Sequence, residues 1–394
     1  MTFAPQLTSL RASLINFLLR YWLPSGWFAL LTGMFWIGDR ALYHKLYYVS
    51  LAFPTFVLLL LQPRWLLLLK RVAISNLFLL FASYMLLSLL WSPADVSLFS
   101  MVKRPLYIVL AFAAAALLAS NPSPRLAQST EWAAWAAVVA AVATIAYYLH
   151  EGDGGRLSGY GALYNALKST HVFGFFAVYW LCRWYQHPSP KAWGPIAALI
   201  PLWLLLLLTG SRTPLLAVAA ALLWLALLQW RQRAWLIIAA GLSAAISWQL
   251  LQPAETLLTR GLSYRPAIWA EALRQLEGNF WFGLGLEHPQ VFQVTGLDEA
   301  LADTHNTPLG VLFEGGVAGL ALWLLMYAYA LGYAWTQRRR RDVAAASALV
   351  VFGLVAGFTE GSGFFSRPNE HWFLLWIPLA LLAATQQQAA RQNP

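Results

Sequence analysis

Apolar stretches of about 20 residues, each long enough to cross a bilayer as a helix, recur along almost the whole chain. That recurrence restricts the fold more than any other feature. Inside hydrocarbon each backbone N–H and C=O must find its partner within the protein, which leaves helices and closed barrels, and runs of this length are helical. Their approximate centres fall near Phe28, Pro54, Leu80, Ala111, Ala140, Ala177, Leu202, Ala220, Ala240, Leu320, Val350 and Leu379, so about twelve transmembrane helices are expected. The predicted fold class is all-α: a polytopic helical membrane protein with a single transmembrane domain over residues 1–394. Of these residues 60% are hydrophobic and only 11% are charged, whereas a soluble domain is nearer half apolar and a quarter charged. The longest polar interval, residues 252–305, is too short to bury a core alone. No cleavable signal is read in Met1 to Arg11, and the first span is expected to act as an uncleaved one. The one cysteine, Cys182, excludes an intramolecular disulfide and a Cys-based metal site.

The net charge of +10 points to basic cytoplasmic loops, not to nucleic acid. With the N-terminus in the cytoplasm, the inside loops collect fourteen bases, including the Arg338 to Arg341 run, against Glu131 and Asp342 alone. The opposite orientation violates the positive-inside rule. Both termini are therefore expected in the cytoplasm. Residues 150–168, the turn Thr209 to Thr213 and residues 252–305 then face outward. The last is the largest outer loop. In it Pro266 to Glu277 reads as a short amphipathic helix, with Ile268, Trp269, Ala272, Leu273 and Leu276 on one face, and Gly283 and Gly285 mark a turn.

Chemistry-bearing residues cluster at these outer segments. In Thr209-Gly-Ser-Arg-Thr-Pro214, Thr213 is expected to cap a helix and Pro214 to open it, leaving Arg212 at a helix mouth. The free amides there favour an anion, and a guanidinium fork matches phosphate oxygens; a flanking arginine that anchors the span fits equally. Asp303-Thr-His-Asn-Thr-Pro308 ends in the same Thr-Pro step. It places His305 just outside a second helix start, whose positive end disfavours a charged ring, so that a neutral imidazole can serve as general base. A capping or interfacial histidine is the alternative. Asp303 is expected to orient the ring. Arg265, ahead of the amphipathic helix, is a second diphosphate candidate or a headgroup anchor. Glu314 lies about two turns into the following span, where a carboxylate is costly and usually paired, and is assigned a supporting role; Glu360 and Glu370 flank the last outer turn. Lys168 and His171 open a span and either touch a phosphate or anchor the interface. Glu151-Gly-Asp153 has the spacing of a carboxylate metal motif, which chance supplies easily in a glycine-rich loop. No metal site and no cofactor are predicted. With no Walker A loop or dinucleotide fingerprint, the energy for a reaction must arrive in the substrate.

His305-Asn306 followed by Leu309, Leu312, Glu314, Gly316, Gly319 and Leu320 fits His-Asn-x-x-Leu-x-x-Leu-x-Glu-x-Gly-x-x-Gly-Leu. That pattern resembles the signature of the O-antigen ligase and polymerase superfamily. Arg212, Arg265 in Tyr-Arg-x-x-Ile-Trp, and Gly283 to Gly285 match in the same order, so the resemblance covers residues 209–320. It implies a GT-C-like membrane glycosyltransferase that uses neither metal nor nucleotide. Glycan would pass from undecaprenyl diphosphate to the outer-core sugar of lipid A–core at the periplasmic face, with inversion. By the same resemblance His305 is the base, Arg212 and Arg265 are catalytic and hold the diphosphate, and Lys168 and Asn306 bind substrate. Residues 252–305 would carry part of the active site. The ligase branch is favoured; a polymerase, and outside the enzymes a transporter, are the alternatives.

Overall fold

A computed structural model of the chain describes residues 3–121, 123–151, 155–187, 193–229, 264–294, 300–361 and 363–392. Helices dominate, and among the described residues the only β pairing is an isolated antiparallel bridge between Phe292 and Leu301. The expected span centre at Ala240 lies outside the described residues; each of the other expected centres falls within a helix. Among the described residues, five helices are long and apolar enough to cross a membrane: Arg40–Leu61, Ala73–Leu90, Leu98–Ala119, Arg125–Glu151 and Thr307–Thr336. Trp193–Leu208 and Arg212–Leu228 are shorter but as apolar in character. The protein is a helical membrane protein.

The chain forms two compact units. Unit one comprises Met1–Asn76, Arg104–Ser211 and Arg367–Pro394; unit two comprises Leu77–Lys103 and Arg212–Ser366. In unit one, small residues let helices approach closely, as lipid-embedded packing requires. Ala133, Ala134, Ala137 and Ala141 of helix Arg125–Glu151 are fully buried, and Trp27 donates from Nε1 to the Thr130 hydroxyl at 3.0 Å. Helix Leu23–Trp36 also meets a π-helical turn, Tyr48–Ala52, at Gly26. A Cβ on Gly26 would lie 2.0 Å from the Ser50 carbonyl oxygen, so only glycine fits there.

In unit two, the Arg265–Gln275 helix starts one residue before the expected Pro266. Its Ile268, Ala272 and Leu276 pack against Phe292, Val294, Leu309 and Phe313. This docks it on the first turns of the long helix Thr307–Thr336. Leu273, expected on the apolar face, stays 48% exposed, because the packed stripe runs through positions 268, 272 and 276.

The long helix is broken. At Gly316 its backbone turns to φ 63°, ψ −167°, and the segment from Phe280 to Gly285 enters the gap. Val317 and Ala318 donate their amides to the carbonyls of Phe280 and Trp281, at 2.9 and 3.1 Å. Leu284 and Gly285 donate to the carbonyls of Phe313 and Glu314, at 2.9 and 2.8 Å. The Tyr84 hydroxyl covers Gly315 O at 2.7 Å. Irregular backbone in an apolar setting persists only where protein satisfies it, and here one loop does so for one break. A Cβ on Gly316 would meet Gly283 N at 2.4 Å, and its φ 63°, ψ −167° lies in a region essentially reserved for glycine, adding about 1–3 kcal/mol of strain for an L-residue. We expect Gly316→Ala to lower the thermal midpoint in detergent by several degrees. Gly332→Ala, on the same helix with nothing within 4 Å, is the matched control and leaves the midpoint unchanged or raised.

Candidate active site

His305 sits in a tightly specified turn. The Asp303 carboxylate accepts from the His305 backbone amide at 2.7 Å. Asn306 caps the long helix, its side-chain oxygen accepting from the Leu309 amide at 2.9 Å. Trp269, on the Arg265 helix, donates to the Thr304 carbonyl at 3.0 Å. Between these restraints His305 adopts φ 48°, a left-handed conformation uncommon outside glycine, for which histidine is among the more tolerant residues. Strain of this kind persists where the surroundings over-determine it and concentrates at functional sites. The imidazole is half-buried and makes no hydrogen bond with a described residue. Asp303 was expected to orient the ring; the hydrogen bond recorded for its carboxylate goes to the His305 backbone and holds the turn.

A second feature joins this turn to both candidate arginines. The Thr307 hydroxyl bridges the carbonyls of Glu360 and Gly361, at 3.1 and 2.8 Å. The Glu360 carboxylate accepts from Arg265 at 2.5 Å. The Thr359 hydroxyl lies 3.0 Å from that of Thr213, beside Arg212. The turn Thr359–Gly361 thus holds the starts of three helices, at Arg212, Arg265 and Thr307. Thr213 is not the cap expected of it: the helix begins at Arg212, which frees the Thr213 hydroxyl for Thr359.

Charge is distributed unevenly over this scaffold. Glu360 is 5% exposed, so Arg265 compensates a buried carboxylate while its other N–H groups point to no described partner. Arg212 is exposed and pairs with no carboxylate among the described residues. Glu271 is not a competing base, because hydrogen bonds from Arg274 and then Gln275 hold its carboxyl down at about 2. Glu314 is buried, 3.5 Å from the Gln290 amide. Among the described residues no three His, Cys, Asp or Glu side chains group as metal ligands; Asp153 lies outside them. Lys168 is not part of this scaffold. It belongs to unit one, where its ammonium is 3.3 Å from Glu370.

Sequence reasoning missed Thr307 and Thr359 and gave Thr213 the wrong partner. The repeated Thr-Pro step was the available signal. Read as a capping device, it also places a hydroxyl beside Arg212 and another beside His305, and both reach the same turn.

A family model described as O-Antigen ligase matches residues 197–324, the stretch that holds Arg212, the Arg265 helix, the His305 turn and the helix break. The O-antigen ligase of Pseudomonas aeruginosa PAO1 is 48% identical over 382 residues, covering 97% of this chain and 94% of the relative. Identity at that level over nearly the whole length, with the motif-bearing segments built into one scaffold, makes the chain a membrane glycosyltransferase of the O-antigen ligase family.

Proposed function

We propose that the protein transfers glycan from undecaprenyl diphosphate to the outer-core sugar of lipid A–core, at the periplasmic face of the bacterial inner membrane. About twelve spans of a GT-C-like transmembrane domain, with both termini cytoplasmic, put Arg212, residues 252–305 and the Thr359–Gly361 turn on that side. The observation that carries the reading is this turn, which Thr213, Arg265 and Thr307 all reach. It gives a base and two cations one common support.

The chemistry follows from that support. His305 takes the proton from an acceptor hydroxyl, whose oxygen attacks the anomeric carbon. The bond from that carbon to the diphosphate breaks, and its electron pair leaves with the diphosphate. Arg212 and Arg265 hold the diphosphate and offset the charge that grows on it, as preorganised donors do in a dry site. Direct attack inverts the anomeric centre. Asn306 fixes the turn and presents its amide to substrate, and Lys168 meets an anionic substrate group. Glu314 and Asp303 support the helix break and the turn.

The test is transfer by purified protein in detergent, from undecaprenyl-diphosphate glycan to lipid A–core, with EDTA and without nucleotide. Glycan on lipid A–core supports the proposal; growth of glycan on its own lipid identifies a polymerase instead. We also expect Glu151→Ala with Asp153→Ala to retain the rate within about twofold. Transfer that EDTA abolishes and a divalent cation restores would require a metal in the mechanism.

A further inference from the structure

Unit one carries a second charged cluster, around Lys168, whose members take no part in the proton transfer or the grip on the leaving diphosphate. Arg40 opens helix Arg40–Tyr47, capped by Asp39. One of its terminal nitrogens donates to both oxygens of Glu370, at 2.9 and 3.0 Å. Lys168 lies 3.3 Å from the same carboxylate and 3.4 Å from the Tyr164 hydroxyl. The Tyr164 ring lies under both cations, 5.0 Å from the ammonium and 5.8 Å from the guanidinium. Glu370 is almost wholly buried, whereas Arg40 and Lys168 keep 36% and 26% of their side chains in the open. Burial works to raise the Glu370 carboxyl, and His371, Lys168 and Arg40 together hold it below the usual range. Two cations therefore share one ionised carboxylate.

Two further observations point beyond an ion pair. Tyr164, against both cations, and Tyr160, whose hydroxyl lies by Gly38, are 61% and 65% exposed, offering flat apolar faces with polar tips. One helical turn inward from Lys168, His171 is 2% exposed with neither ring nitrogen hydrogen-bonded to a described residue. A buried polar group in that condition costs about 1–3 kcal/mol. It is what a pocket wall presents to a polar ligand. Surplus cations, exposed aromatic faces and a buried donor–acceptor fit an anionic sugar.

We propose that Arg40, Lys168, Tyr160 and Tyr164 form a subsite for a phosphate-bearing sugar of the acceptor glycolipid, separate in role from the donor diphosphate grip. The inference rests on the proposed transfer to a glycolipid acceptor. Glu370 keeps the two cations splayed and partly neutralised, so that the phosphate is held without being trapped. A charge-assisted hydrogen bond contributes about 1.5–3 kcal/mol, which corresponds to about tenfold or more in affinity.

The experiment measures KM for donor and acceptor separately, in wild type, Lys168→Ala, Lys168→Arg and Arg40→Ala, with intact acceptor and with acceptor stripped of its phosphate monoesters. We expect Lys168→Ala and Arg40→Ala to raise the acceptor KM about tenfold, with the donor KM unchanged. Lys168→Arg should restore it. Stripped acceptor should show the raised KM on wild type, with no further loss in the alanine variants. Parallel changes in kcat and both KM values, or equal losses on intact and stripped acceptor, overturn the subsite and leave a structural ion pair. A loss that instead follows the fraction of anionic phospholipid in the vesicle assigns the phosphate to the bilayer and overturns it too. Absence of transfer by the wild type sinks the proposed function itself, a failure distinct from these.

Discussion

His305→Asn should abolish glycan transfer while leaving the protein folded and able to bind its lipid-linked donor. Asparagine is the sharper substitution than alanine. His305 adopts φ 48°, a region asparagine tolerates and alanine enters only with strain. Its backbone amide still reaches the Asp303 carboxylate, and the Asn306 cap is untouched. The turn therefore survives and the proton acceptor does not. General base catalysis contributes about 10²–10⁴ in rate, so kcat should fall by that factor, with thermal midpoint and donor binding close to wild type. His305→Ala should lose as much rate and also some stability. If His305→Asn transfers glycan at the wild-type rate, the base is another group and the turn is only structural. A loss of donor binding in the same variant would move His305 from proton transfer to diphosphate recognition.

The sequence made the helical architecture legible because a bilayer imposes one length on every span. Unbroken apolar runs around Leu320 or Ala111 admit no other reading. It was less informative about where helices bend. Gly315-Gly316 looks like small-residue packing until the Phe280–Gly285 loop is seen to donate and accept inside the break. The Tyr48–Ala52 π turn has no cue beyond the glycine opposite it, Gly26. At the site, His305, Arg212 and Arg265 were visible because each stands at a helix start, where local residue order carries the signal. What joins them was not. Thr213 and Thr359 are 146 residues apart, and Arg265 and Glu360 are 95 apart. A hydrogen bond over such a separation leaves no local pattern in one sequence. Lys168 shows the converse: its charge was legible, and its partner Glu370, far along the chain, was not.

The second large effect belongs to Arg265, and its ion pair with Glu360 separates stability from catalysis. Glu360 is 5% exposed and Arg265 is its guanidinium partner at 2.5 Å. Removing one member of a buried pair costs about 3–5 kcal/mol, largely because the other charge is left behind. Arg265→Ala should therefore fail twice, losing both stability and the grip on the leaving diphosphate. Loss of a preorganised donor in an electrostatic site lowers kcat by about 10²–10³. Adding Glu360→Gln removes the carboxylate charge that Arg265 had neutralised while keeping the backbone carbonyl to which Thr307 donates. The His305 turn should then hold, and the double variant should recover most of the lost thermal midpoint. It should recover none of the lost transfer. Arg265→Lys should be stable yet still slow, since one ammonium cannot serve Glu360 and also grip the diphosphate as a fork does. Recovery of transfer along with stability in the double variant would mean that Arg265 acts by holding the fold. Inactivity that persists in a protein as stable as wild type would place its guanidinium at the reacting diphosphate.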